Sequence, residues 1–283
     1  GQLTRDQVAR SLQAGVRYLK TQQQGDGHWG SEKDQFHIGI TSLALMAMLN
    51  SQVPVTDVSV QKGLGYLRSL PPAEWPRITG RSENYELSLM LMALAVADQD
   101  TDRNRIIRLA SLIENGQVVS GANVGGWSYR LGGGQGGAAD ESNSQYSVLA
   151  LREAAHYGVP VKRETWVNAQ RYWQSKQSSD GGWGYQGSGT SSGSMTVAGI
   201  ASSVICETML GDPDDNFNCC QDRDDNQVIS RGIEWLSKKF SIGSNPGKSS
   251  NYLFYYLYGL ERAGRLSGRR FFGENNDWYR AGS

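Results

Sequence analysis

Apolar and polar positions along this chain alternate between two kinds of helix-period segment, and the alternation recurs five times. The first member of each pair is rich in charge with one apolar stripe, as a helix with one face in water requires. The second is nearly uncharged: Ile38–Leu49, Asn84–Ala97, Ser144–Ala155, Met195–Leu210 and Tyr252–Ala263 are the predicted second helices. Segments such as Ser42–Leu49 and Leu87–Leu94 are apolar almost all round and must be covered on most sides. Wet and dry helices alternating at a repeat length of 40–60 residues describe a closed ring of helical hairpins, dry helices inside.

Short glycine-rich loops punctuate the pairs and repeat in sequence. Gly15-Val-Arg-Tyr18-Leu19 runs through Gln23 into Gly27-His28-Trp29-Gly30, and Ala169-Gln-Arg-Tyr172-Trp173 runs through Gln177 into Gly181-Gly182-Trp183-Gly184. Lys62-Gly63…Tyr66-Leu67 leads to Trp75, Arg231-Gly232…Trp235-Leu236 leads to a loop at 243–247, and a fifth copy keeps mainly Gly125-Gly126-Trp127. Glycine after a helix supplies the positive φ that ends it, and the following tryptophan can cover the next hairpin. Asp140 and Asp180 stand where helix starts and turns need a short acceptor. The last residues, Asp277–Ser283, read as the start of a sixth outer helix, so the chain is expected to be part of a longer protein.

The repeat Gly-x2-aromatic-Leu/Trp-x3-Gln-x3-Gly-x-Trp resembles the QW repeat of squalene and oxidosqualene cyclases. From about Gln7 onward the chain is similar to the prenyltransferase/squalene-oxidase repeat superfamily. That resemblance implies an all-α, single-domain (α/α)6 toroid over residues 1–283, five complete hairpins plus the start of a sixth. It implies structural roles for Gln23, Trp29, Trp127, Gln177 and Trp183, the glutamine capping a helix and the tryptophan stacking on the next repeat, with function inside the ring.

The same comparison separates the chain from the chemistry of those families. Squalene-hopene cyclases carry Asp-x-Asp-Asp-Thr-Ala ahead of a similar helix, the middle acid protonating an alkene. Here Asp140-Glu141-Ser142-Asn143 keeps the first acid and puts Ser142 and Asn143 on the other two. A serine hydroxyl is far too weak an acid for that step. Asp140 and Glu141 remain as weak catalytic candidates, and their plainer reading is as acids at a helix N-terminus. Protein prenyltransferases need an Asp-x-Cys zinc signature and complement-like thioester domains need Gly-Cys-Gly-Glu-Gln; the chain has neither. His28, His37 and His156 are spread along the sequence, so no shared zinc site is expected. The strings Asp212-Pro-Asp214-Asp215 and Asp222-Arg-Asp224-Asp225 read as a solvated acidic loop, with calcium on Asp212, Asp214, Asp222 and Asp224 as the minor alternative. No cofactor and no metal are expected.

The starts of the second helices should line one mouth of the ring. Phe36, His37, Tyr85, Gln145, Tyr146, Tyr252 and Tyr255 are therefore candidates for a hydrophobic-ligand cavity, although rings filling the centre would look the same. Three readings stay open. The first is a binding or structural module for a hydrophobic small molecule or a protein partner, lacking the usual acid. The second is an active terpenoid cyclase or transferase. The third is a carbohydrate-active toroid enzyme, in which Glu86, Asp140 and Glu141 would have to supply two carboxylates about 5–10 Å apart. A buried carboxylic acid of raised pKa would favour an enzyme.

Composition narrows these readings slightly. Lys and Arg total 28 against 28 Asp and Glu, so nothing builds the positive field of a nucleic-acid binder. With 38% hydrophobic and 20% charged residues, the chain can bury a sizeable core. Its longest apolar runs, Ser42–Leu49 and Leu87–Ala97, fall short of a bilayer span, so a soluble domain is expected. Three cysteines, Cys206, Cys219 and Cys220, form no CxxC pair and leave redox state and compartment open.

Overall fold

A computed structural model describes residues 4–31, 35–132, 137–187, 189–211 and 226–282. Asp212, Asp214, Asp222 and Asp224, with Cys219 and Cys220, lie outside the described residues. The described residues are helical and contain no strand. The five predicted pairs correspond to α1 (Arg5–Gln22) with α2 (His37–Asn50), α3 (Val58–Ser69) with α5 (Glu83–Ala97), α6 (Arg103–Asn115) with α7 (Glu141–His156), α8 (Arg163–Lys176) with α9 (Gly193–Leu210), and α10 (Gln227–Lys239) with α11 (Leu253–Leu266). Two short α-helices, α4 (Trp75–Thr79) and α12 (Trp278–Gly282), and four single-turn 3-10 helices complete the described elements.

The chain divides into two compact units: residues 1–116, 129–132 and 149–161, and residues 117–128, 133–148 and 162–283. In the first, α2 packs along α5, and α3 and α6 flank them. Gly39 permits this approach, because a methyl there would sit 3.3 Å from Glu86 Cγ. Leu45, Met48, Leu87, Met90, Leu91 and Leu94 are fully buried, as helices apolar on every side demand. By contrast α1 buries none of its residues. In the second unit α9 is the hub, packed by α8, α10 and α11, with every residue from Gly193 to Cys206 buried. Trp173, Trp183, Tyr256 and Phe272 fill the space around it.

At 18 residues, α9 is the longest apolar helix, a point the sequence reading missed by dwelling on shorter runs. By length and composition it could cross a membrane, but 78% of it is buried inside the structure, as in the core helix of a folded domain.

Three loops brace consecutive helices in the same way. The Gln23 amide donates to Gly27 O and Ser59 O at 2.9 Å each; Gln177 donates to Gly181 O at 2.9 Å and Val228 O at 2.8 Å. The third brace is Gln117, which donates to Gly125 O at 3.1 Å and Thr165 O at 3.0 Å. Each side-chain amide therefore donates to a carbonyl on the first turn of the following helix, whereas capping that helix would need the glutamine oxygen to accept from an orphan N–H. The loop glycine sits at positive φ in all three, 101° at Gly27, 92° at Gly125 and 91° at Gly181. Side chains there would also strike the next helix, since a Cβ would lie 1.9–2.7 Å from the carbonyls of Lys62, Asn168 and Arg231.

The tryptophans close the brace. The backbone N–H groups of Trp29, Trp127 and Trp183 donate to hydroxyls one turn into the following helix, those of Thr41, Ser144 and Thr196. The indoles of Trp29 and Trp183 donate to Leu19 O and Trp173 O, the carbonyls left open at the end of the preceding helix. Gly63 and Gly232 admit the rings of Trp29 and Trp183 against α3 and α10. Trp278 donates likewise to Arg269 O, and the Phe272 N–H to Asn276 O repeats the loop bond of Ser178 N–H to Gly182 O. Trp278 therefore makes the bond of a loop tryptophan while standing as the first residue of α12.

Candidate functional site

The opening turn of α7 is the most unusual stretch of the molecule, because Asp140, Glu141, Ser142, Asn143, Ser144 and Gln145 are all buried. Six consecutive polar side chains without water need internal partners. Asp140 finds them locally: one carboxylate oxygen accepts the Asn143 backbone N–H at 2.8 Å and the other accepts the Asn143 side-chain amide at 2.8 Å. Asp140 thus closes the first turn as an N-terminal cap. Burial raises its pKa and the bonds to Asn143 pull it back.

Glu141 is fully buried. One oxygen accepts the Gln186 N–H at 2.6 Å; the other has no hydrogen-bond partner. Its pKa rises from the usual 4.5 to about 7, chiefly through burial, with the neighbouring Asp140 adding and Lys176 opposing. Gln186 holds φ at 59° and donates its N–H to Glu141, and a Cβ on Gly187 would lie 3.6 Å from the free oxygen, so Glu141 pins the Tyr185–Gly187 turn. The Tyr172 hydroxyl, buried nearby, makes no hydrogen bond of acceptable geometry among the described residues, and burial together with Glu141 raises its pKa while Ser144 opposes the rise.

The far side of the same turn meets α11. Tyr255 shares a 2.7 Å hydrogen bond with the Ser142 hydroxyl and accepts from the Gln145 side-chain amide. Its ring lies 6.2 Å from that of Tyr146. Arg262 lies over Tyr258 at 3.9 Å and over Tyr146 at 5.6 Å. Ser142, Gln145, Tyr146 and Tyr255 therefore meet in one polar and aromatic cluster, whereas Tyr252, at the αL start of α11, is 72% exposed.

In the other unit, Glu86 caps a helix in trans. Its carboxylate accepts the N–H groups of Ile38 and Gly39 at 3.1 and 3.2 Å and the Ser82 hydroxyl at 2.6 Å, supplying the N-terminus of α2 with the cap that Phe36 cannot give. Burial raises its pKa against these bonds. Phe36 is exposed, and Tyr85 packs its ring on Tyr129 at 5.7 Å. His37 stacks on His28 at 4.5 Å and bonds Ser31 O, so two histidines read as scattered are neighbours. His28 Nδ1 contacts Asp26 at 2.5 Å. Among the described residues no three His, Cys, Asp or Glu converge as metal ligands. Cys206 is a free buried thiol, its pKa pushed up to about 12 by burial.

Sequence reasoning missed Gln117, Gln186, Tyr172 and Arg262. Gln117 stands eight residues before its loop glycine where Gln23 and Gln177 stand four before theirs, and the insertion hid it. Arg262 carried one signal, a guanidinium four residues after Tyr258 on the same helix. No protein-family model matches the chain, and no curated protein matches its sequence.

Proposed function

We propose that this chain is a repeat domain of the squalene-cyclase and prenyltransferase type, its hairpins following one another around an (α/α) ring, and that it binds a hydrophobic small molecule. The repeated glutamine–glycine–tryptophan brace supports the architecture. The binding reading is carried by the cluster of Ser142, Gln145, Tyr146 and Tyr255, where convergent polar groups stand among aromatic faces as in small-molecule sites.

Glu141 favours a second reading, an enzyme using a protonated carboxylic acid, because it is buried with a raised pKa and one unbonded oxygen. Against this stand its attachment to the Tyr185–Gly187 turn and its weakness as an acid at a pKa near 7, far from what protonating an alkene requires.

Calorimetric titration with decanol and with farnesol, a linear isoprenoid alcohol, tests the proposal. Saturable binding weakened about tenfold by Tyr146→Leu is expected; no binding of either alcohol refutes it. Conversion of farnesol or squalene to cyclic products, abolished by Glu141→Gln, would instead establish the second reading.

A further inference from the structure

Among the described residues the Arg262 guanidinium has no hydrogen-bond acceptor. Its Nε, Nη1 and Nη2 are all shielded from solvent, and none makes a hydrogen bond of acceptable geometry. A guanidinium carries five N–H donors and cannot shed its charge by deprotonation. Its charge meets two aromatic rings, with the guanidinium carbon 3.9 Å from the centroid of Tyr258 and 5.6 Å from that of Tyr146. Contacts with ring faces use no N–H donor, and although the guanidinium interacts with the Tyr146 hydroxyl, no hydrogen bond of acceptable geometry forms between them. Other buried arginine contacts in this protein are completed within the chain. Arg68 holds Asp102 through two bonds of 2.9 and 2.7 Å, and Arg105 donates to Arg68 O and Leu70 O.

We infer that Arg262 is the recognition group for a carboxylate, and that the ligand of the α7–α11 cluster is an amphipathic monocarboxylic acid; this rests on the hydrophobic-ligand reading above. The edge of a guanidinium matches a planar carboxylate through two parallel N–H···O bonds. Its field reaches the cluster, since the guanidinium charge acts on both the Tyr146 and the Tyr255 phenols. Ser142 and Gln145 add short polar groups beside it, and the tyrosine faces suit an apolar body. One guanidinium balances one negative charge, while Asp140 and Glu141 at the start of α7 oppose a second. A singly charged carboxylate is therefore favoured over a phosphate.

Calorimetric titration of the whole chain at pH 7.5 with decanoate, decanol and decyl phosphate tests this. Decanoate should bind about ten- to a hundredfold more tightly than decanol, the value of a charge-assisted bidentate contact. Arg262→Gln should erase that preference without abolishing decanol binding. Arg262→Lys, which keeps the charge and loses the fork, should lower the preference several-fold and provides a readout if the glutamine variant does not fold. Equal affinity for decanoate and decanol, or a preference that survives Arg262→Gln, overturns the inference and leaves the hydrophobic-ligand reading standing. Decyl phosphate binding more tightly than decanoate overturns the carboxylate assignment. Absence of binding by all three overturns the underlying reading and this inference with it.

Discussion

Replacing Glu141 by glutamine should flatten the pH dependence of stability, because this carboxyl titrates inside the protein near neutrality. Its pKa stands at about 7 against the usual 4.5, so the folded state holds the proton more tightly than the unfolded chain. Stability from this group is complete below pH 4.5 and is lost as pH rises through about 7. At about 1.4 kcal/mol per tenfold change, the whole interval amounts to about 3 kcal/mol, of which about 2–3 kcal/mol falls between pH 5 and pH 8. Glutamine keeps the shape and an oxygen for the Gln186 N–H, and its amide can donate to the Tyr172 hydroxyl. Asp140 remains in both proteins, so their difference isolates Glu141. Urea unfolding followed by tryptophan fluorescence at pH 5 and pH 8 measures the effect, with Trp173 and Trp183 reporting on the same unit. The wild type should lose about 2–3 kcal/mol more than Glu141→Gln over that range. Parallel losses in the two proteins would refute the reasoning and show that Glu141 ionises without cost.

Two further outcomes follow from the braces. Gly125→Ala should cost more than about 2 kcal/mol, because it combines a positive φ with a Cβ 1.9 Å from Asn168 O, whereas Gly121→Ala, at φ 83° with open space, should cost about 1 kcal/mol; thermal melts of the pair separate the clash from the backbone strain. Gln117→Ala should destabilise by about 2 kcal/mol and Gln177→Ala by about 1 kcal/mol, since each removes two bonds but the Gln117 site is the more deeply buried; equal losses in urea midpoints would contradict that ordering.

The five helix pairs were legible from the sequence because burial imposes a period: a helix covered on all sides must be apolar on all sides, and α2, α5 and α9 are. Trp29, Trp127 and Trp183 were legible with them, since a positive-φ glycine and a covering ring recur at fixed spacing. Asp140 was legible too, as a short acceptor at a helix start, but the state of Glu141 and the partner of Glu86 were not. Asp140 and Glu141 are adjacent, yet one is a satisfied cap and the other a carboxyl with a free oxygen near neutrality. Glu86 caps a helix 48 residues away in sequence, which no local pattern records. Arg262 differs from a surface arginine because Tyr258 and Tyr146 lie against it and, among the described residues, its shielded N–H groups make no hydrogen bond of acceptable geometry. Helical period and turn chemistry are short-range properties written in neighbouring residues. Desolvation and hydrogen-bond partnership depend on what distant segments bring to a side chain, and only the tertiary structure decided those.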